Sequence, residues 1–255
     1  MIEVSHLVKR FDDAAAVADV SFRVEPGTAC GYLGPNGAGK STTVKIMAGL
    51  LQPTEGSVRI AGFDLRERPL EVKRRLGYVP ESAALYATLT PHEHLSLVAE
   101  LYHLERSHAA ERIGQLLKAF EITELADRQI ETLSKGQKQK VLLIGSLLHD
   151  PEVLLLDEPL NGLDVNSVLT FRQILAELLA RGRTILFCSH ILEVIERLCS
   201  RVIVIDKGTV VADDETSKLL AGSPQGTLAA VFQQLTRGSN ADDGVRAFLE
   251  GPRPA

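Results

Sequence analysis

The run Gly34-Pro35-Asn36-Gly37-Ala38-Gly39-Lys40-Ser41 sets a lysine and a hydroxyl behind closely spaced glycines. That combination suits a phosphate. Glycines let backbone N–H groups converge on phosphate oxygens with no Cβ in the way. A helix opening here aims its positive end at the same anion. Lys40 supplies a full charge to the outer phosphates, and Ser41 offers a hydroxyl to Mg²⁺. The loop through Thr42 is therefore the expected nucleotide-binding segment, with Mg²⁺ beside the phosphates; alone it supports only nucleotide binding, as kinases, GTPases and many motors share it.

Val153-Leu154-Leu155-Leu156-Asp157-Glu158 is an apolar run ending in two acids. In an open parallel sheet, ligands sit beyond the carboxyl ends of the strands. Asp157 is then placed to face a metal, directly or through water, and Glu158 to polarise an attacking water as general base. Leu133-Ser134-Lys135-Gly136-Gln137 starts a helix, with Ser134 and Gln137 at capping-box spacing. A capped helix start bearing a serine and a glycine is also an anion site.

These groups need elements to hold them. Residues 28–33 form a short apolar run, read as a buried strand that delivers the glycine loop, and residues 41–50 read as the helix after it. Residues 17–24 come close to the alternation of a half-buried strand, and Pro26-Gly27 turns the chain. Residues 57–60 and 77–79 read as further strands. From about Thr88 to His149 the pattern becomes helical: Pro91 opens a helix over 92–102, Ile113, Leu116, Leu117 and Phe120 share helical spacing, and a third helix covers 135–148. The wholly apolar runs 153–156 and 184–188 suit parallel strands covered on both faces. Helices over 168–179 and 192–198 follow them, and Asp206-Lys207-Gly208 marks a hairpin within 202–211. The end of the chain, from Gly238 onward, reads as loosely ordered.

Composition bounds the possibilities. The 255 residues are 45% apolar and 24% charged, with a formal net charge of -5. An acidic balance argues against nucleic acid as a partner, since phosphate contacts need a basic face. No stretch approaches the ~18 apolar residues of a membrane span; residues 141–148 are interrupted by Gly145 and Ser146. The first residues lack the pattern of a signal peptide, so a cytoplasmic protein is expected. Cys30, Cys188 and Cys199 have no metal-type spacing and read as small buried hydrophobes.

The order of these motifs resembles that of the ABC ATPases: a phosphate loop, then Leu-Ser-x-Gly-Gln, then Leu-Leu-Leu-Asp-Glu-Pro. The resemblance covers residues 1 to about 220. It implies an α/β fold, a P-loop NTPase core with a mainly parallel sheet, an N-terminal antiparallel β sub-domain and an inserted helical sub-domain at about 88–150. Residues 221–255 then make a C-terminal helical extension and tail. It implies a head-to-tail dimer in which Ser134, Gly136 and Gln137 of one subunit close over ATP held by the other; the second subunit can be the same chain or another, and the presence of every motif of a competent site in this one chain favours a homodimer. Phe11 sits where the family stacks an aromatic on adenine, although its local sequence equally suits a core or turn phenylalanine. Leu160–Asp164 resembles the loop that crosses the dimer interface, and His190 matches the histidine that contacts the γ-phosphate.

Two positions depart from the common pattern. Glu81 stands where many members carry the glutamine that senses Mg²⁺ and couples to the membrane partner; a carboxylate still meets Mg²⁺ through oxygen. Lys135 replaces a glycine of the signature. Both departures, with Leu85-Tyr86 and Leu89-Thr90, resemble ATPase subunits of exporters that pair with a separate permease. The resemblance thus implies an ATP-hydrolysing subunit on the cytoplasmic face of the membrane, contacting its permease from Glu81 to Thr90. An ABC ATPase acting on a protein or nucleic-acid machine is the alternative. A module that binds ATP without turnover is disfavoured by Lys40, Asp157, Glu158 and His190.

Overall fold

The computed structural model describes residues 1–12, 14–82 and 85–236; the tail expected from Gly238 onward lies outside them. Among the described residues ten strands form one sheet. Five are parallel: β3 (Ala29–Leu33), β6 (Leu76–Val79), β7 (Val153–Asp157), β8 (Thr184–Cys188) and β9 (Arg201–Asp206). Every residue of β3, β7 and β8 is buried, which is why their sequences show no alternation. The side chains still alternate between two cores: Leu154 and Leu156 enter one apolar cluster and Leu155 the other.

The antiparallel part comprises β1 (Ile2–Phe11), β2 (Ala14–Val24), β4 (Glu55–Ile60) and the two-residue β5 (Phe63–Asp64). β10 (Thr209–Glu215) turns back on β9 through Asp206-Lys207-Gly208, as expected, and joins the two parts by pairing with β2. β1 has no reading in the sequence, and its geometry explains this. Its register shifts between Val4 and Leu7, where His6 has φ 48°. The apolar period of two therefore slips midway along the strand. Gly56 accommodates the kink: a Cβ there would lie 2.2 Å from the His6 carbonyl oxygen.

α1 (Lys40–Met47) follows β3, and α2 (Pro69–Arg75) precedes β6. α2 also escaped the sequence reading, because it buries only Val72 and so has no apolar stripe. α3 (Pro91–Leu101), α4 (Arg106–Ala119) and α5 (Lys135–Leu147) lie between β6 and β7. Thr90 and Glu93 form a capping box that starts α3, with Pro91 in its first turn. Ile113 and Leu117 of α4, with Phe120 just beyond it, enter the cluster that also holds Leu154 and Phe187, so these helices share a core with one face of the sheet. α6 (Val165–Ala180) and α7 (Leu192–Leu198) flank β8, and α8 (Thr216–Ala221) and α9 (Leu228–Thr236) end the described chain. The three cysteines are buried and free, and burial pushes the Cys199 thiol up to about 12.

Candidate functional site

Four neighbouring parallel strands, in the order β3-β8-β7-β6, end on one side of the sheet. The phosphate loop leaves β3, Ser189 and His190 leave β8, Asp157 and Glu158 leave β7, and Glu81 follows β6. The parallel sheet thus gathers residues about 150 positions apart in sequence along a single edge.

The phosphate loop is held by close backbone contacts. A Cβ on Gly34 would lie 2.4 Å from the Ile205 carbonyl oxygen, and one on Gly39 would lie 2.4 Å from that of Ala16. Gly39 also has φ 100°, a left-handed geometry that favours glycine. Ala38 N donates to the Pro35 carbonyl at 3.1 Å, and the Ala38 carbonyl accepts from Gly208 N at 3.1 Å. Asn36 and Gly37 face solvent at the crest. Gly39 offers α1 no side-chain cap, so the first N–H groups of the helix remain available to an anion. Lys40 Nζ donates to the Gly34 and Pro35 carbonyls at 2.6 and 3.0 Å, arching over the loop it belongs to. Ser41 and Thr42 are half-buried in the first turn of α1.

Asp157 is 5% exposed, and its carboxyl is pushed up to about 6. Burial is the main cause; the Glu81 and Glu158 carboxylates add to it, while Lys40 and the Ser41 hydroxyl oppose it. One carboxylate therefore feels Lys40, Glu81 and Glu158, three of the groups expected around the phosphates and the metal. An acid crowded by two others in a buried place favours a divalent cation. Among the described residues no three His, Cys, Asp or Glu side chains form a metal-binding set. Ser41 and Asp157 would supply the protein oxygens, leaving phosphate and water to complete the shell, as suits Mg²⁺.

Glu158 is a non-glycine residue at φ 51°, a strained geometry of the kind found at functional sites. Its backbone N donates to the Cys188 carbonyl at 2.9 Å. Its side chain is gripped by the segment after β8: His190 N donates to Oε1 at 2.8 Å, Ser189 Oγ donates to Oε2 at 3.2 Å, and His190 Nδ1 lies 2.9 Å from Oε2. The carboxylate is 12% exposed and the imidazole 71%, so the pair presents its histidine to solvent. Ser189 is a residue the motif reading passed over; it also accepts from Ile191 N at 3.1 Å. Its position directly before His190 was the available signal.

Phe11 is 47% exposed, which removes the core-phenylalanine alternative. It ends β1 opposite Ala14, on the hairpin whose Ala16 touches Gly39, with Lys9 Nζ 5.0 Å from the ring centroid. Ser134 and Gln137 form the expected capping box on α5, at 3.2 and 2.9 Å. Among the described residues no hydrogen bond joins Ser134, Gly136 or Gln137 to the phosphate loop. The structure thus brings Lys40, Ser41, Glu81, Asp157, Glu158 and His190 together, and the signature residues take no part in that set of contacts. Gln139 and Lys140, also overlooked, are buried polar residues on the same helix.

The family described as "ABC transporter" matches residues 17–161. The chain is 38% identical over 244 residues to the ABC transporter ATP-binding protein NatA of Bacillus subtilis (strain 168), covering 93% of this chain and 99% of that protein. It is 37% identical over 219 residues to the Nod factor export ATP-binding protein I of Burkholderia pseudomallei (strain 1710b), covering 86% and 72%. Among solved structures, "Structure of ATP binding subunit of ABC transporter" superposes with a TM-score of 0.88 at 32% identity, covering 93% of this chain and all of that one. "Dimeric structure of a post-hydrolysis state of the ATP-binding cassette MJ0796 bound to ADP and Pi" gives 0.77 at 25% identity, covering 85% and 99%.

Proposed function

The chain belongs to the ABC transporter ATP-binding family and is an ATP-binding, ATP-hydrolysing subunit, and from that premise we propose that two copies close head to tail over two ATP molecules to drive a separate membrane permease in export. The observation that carries the catalytic part is the convergence of Lys40, Ser41, Glu81 and Glu158 on buried Asp157. Residues 34–42 cradle the phosphates, and Phe11 stacks on the adenine. Ser41, Asp157 and Glu81 would hold Mg²⁺, which would supply positive charge to offset that of the phosphate oxygens. Glu158, oriented by Ser189 and His190, takes a proton from the water that attacks the γ-phosphorus. The bond to the β-phosphate oxygen breaks, and ADP carries away the electron pair. Lys40 and His190 stabilise charge on the phosphoryl group in transit.

Among the described residues no hydrogen bond ties Ser134, Gly136 or Gln137 to the phosphate loop of their own chain, which supports their use on a partner's nucleotide. Every motif of a competent site is present in this chain, which supports a homodimer. For the permease, a groove of about 340 Å³ is lined by Leu50, Tyr78, His94, Val98, Tyr102 and His149. Tyr86 is exposed and lies against His94 at 6.0 Å between ring centroids, which connects the Glu81-to-Thr90 segment to this groove. No described helix is long and apolar enough to cross a membrane; the permease would hold the chain on the cytoplasmic face. The relative named for Nod factor export supports the direction. Residues 1–220 serve as the ATPase domain, with 88–150 as its helical sub-domain and 221–255 as an extension.

Glu158→Gln tests the reading. The variant is expected to bind ATP and dimerise on it, while phosphate release falls at least ~100-fold. An unchanged rate would overturn the base assignment. Affinity capture of native complexes tests the partner: recovery of ribosomes or nucleic acid, and no integral membrane protein, would overturn transport.

A further inference from the structure

A groove separates α6 from α7 over the sheet. Its volume is about 460 Å³, within the range of ~300–1,000 Å³ in which pockets bury a ligand. Ala29 of β3 with Ile185 and Phe187 of β8 form its floor, and Leu169, Leu179 and Leu198 line its walls. The floor residues belong to the apolar cluster shared by the sheet and the helices, so the groove reaches the core. Leu169 on its wall is 49% exposed. Arg172 and Arg197 also line the groove. Among the described residues neither takes part in an ion pair.

The chain carries a segment that matches this groove. α9 buries Leu228 and Val231 in the same apolar cluster. Leu228 N donates to Glu196 Oε2 at 3.0 Å, one residue before Arg197. Residues 237–255 follow α9. Between Gly244 and Gly251 they include Val245, Phe248 and Leu249, at the i, i+3, i+4 spacing that sets apolar side chains on one helix face. Asp242, Asp243 and Glu250 flank these residues, with Arg246 the one basic group among them. The links from Thr236 to Val245 extend to roughly 30 Å, enough to pass a helix of ~10–12 Å diameter.

We propose that the groove between α6 and α7 seats the chain's own C-terminal segment, with Val245, Phe248 and Leu249 on the apolar floor and Asp242, Asp243 and Glu250 beside Arg172 and Arg197. Apolar anchors laid in a groove are a recurring mode of recognition, and opposite charge at the edges fixes their register. Apolar surface left in water is unfavourable. A segment of the same chain covers it at a high effective concentration, which a second copy in dilute solution does not match. The seated segment bridges α6, which begins directly after Asp164, and α7, which begins shortly after His190. Docking needs neither nucleotide nor permease.

Paired cysteines in the full-length chain test the seat. Ala247→Cys is combined with Ala176→Cys in the groove or, as the reference, with Ser217→Cys on the exposed side of α8. Under mild oxidation the groove pair is expected to form a disulfide within one chain, mapped by peptide mass spectrometry, at least about tenfold faster than the reference pair. Arg172→Glu with Arg197→Glu is expected to slow that reaction about fivefold, and Asp242→Lys with Asp243→Lys to restore it. In the chain without added cysteines, Phe248→Ser is expected to speed amide hydrogen exchange in α6 and α7 at least about fivefold and to leave α3 and α4 unchanged. Equal disulfide rates in the two pairs, or exchange in α6 and α7 that ignores Phe248→Ser, overturns the proposal. Disulfides formed only between copies would give the groove to a second chain and overturn it as well.

Discussion

Asp157 shows how one residue can be set against the stability of its own fold. Its carboxyl titrates at about 6 in the folded chain, against an ordinary value of 3.8. Between these values the folded state holds the proton more tightly than the unfolded one, so stability falls as pH rises through that window. Above it, the ionised carboxylate burdens the nucleotide-free fold. Asp157→Asn is therefore expected to raise the melting temperature of the metal- and nucleotide-free chain at pH 7.5, by roughly 1–2 kcal/mol of stability. The gain shrinks toward pH 5, as thermal melts in chelator would show. The same substitution removes an anionic oxygen from the Mg²⁺ site and is expected to slow Mg²⁺-dependent hydrolysis. A gain that grew toward low pH would contradict the stated cause. The identity of Asp157 and Glu158 was legible from an apolar run ending in two acids. The grip of Ser189 and His190 on Glu158 was not, because it joins side chains 31 and 32 residues apart.

At the scale of elements, the phosphate loop depends on strands that carry no part of its motif. Gly39 is wedged against the Ala16 carbonyl of β2, and Gly34 against the Ile205 carbonyl of β9. Gly39→Ala adds a Cβ 2.4 Å from a backbone oxygen at φ 100°, and backbone there has little room to yield. The expected outcome is destabilisation of about 1–3 kcal/mol together with weakened ATP binding, measured by chemical denaturation and by titration with a fluorescent nucleotide. Wild-type stability would mean that β2 shifts freely, contrary to its pairing with β1 and β10. The elements that showed themselves in sequence are of two kinds: wholly apolar runs such as β7 and β8, and helices such as α4, whose Ile113 and Leu117 keep a helical spacing. β1 and α2 did not, one because a kink breaks its alternation and the other because it buries a single side chain.

For the whole molecule, the arrangement separates where ATP is held from where force would be delivered. The nucleotide groups lie at one end of the parallel strands, while the groove by Leu50 and Tyr102 is lined chiefly by β6, α3 and α5. Leu50 is 63% exposed, an unusual setting for a large apolar residue beside other apolar groups. Leu50→Asp is expected to reduce permease capture about tenfold, equivalent to ~1.4 kcal/mol of docking energy, while ATP affinity of the isolated chain stays the same. Equal capture would remove this groove from the docking surface.

The sequence by itself determined the residue types and their local elements. The glycine loop, the acid pair and the capped signature each lie within a few residues of chain, and local backbone geometry makes such spacings meaningful. It also carried the α/β fold class through its alternating apolar runs and helical patterns. Tertiary structure alone decided which groups meet. Pairing of β3, β8, β7 and β6 in parallel brings Lys40, Glu81, Asp157 and His190 to one edge. Burial then raises the Asp157 carboxyl, while packing leaves Phe11 exposed and sets Lys140 against Asp164. Burial and long-range electrostatics depend on neighbours remote in the chain, and those neighbours exist only once the sheet has closed.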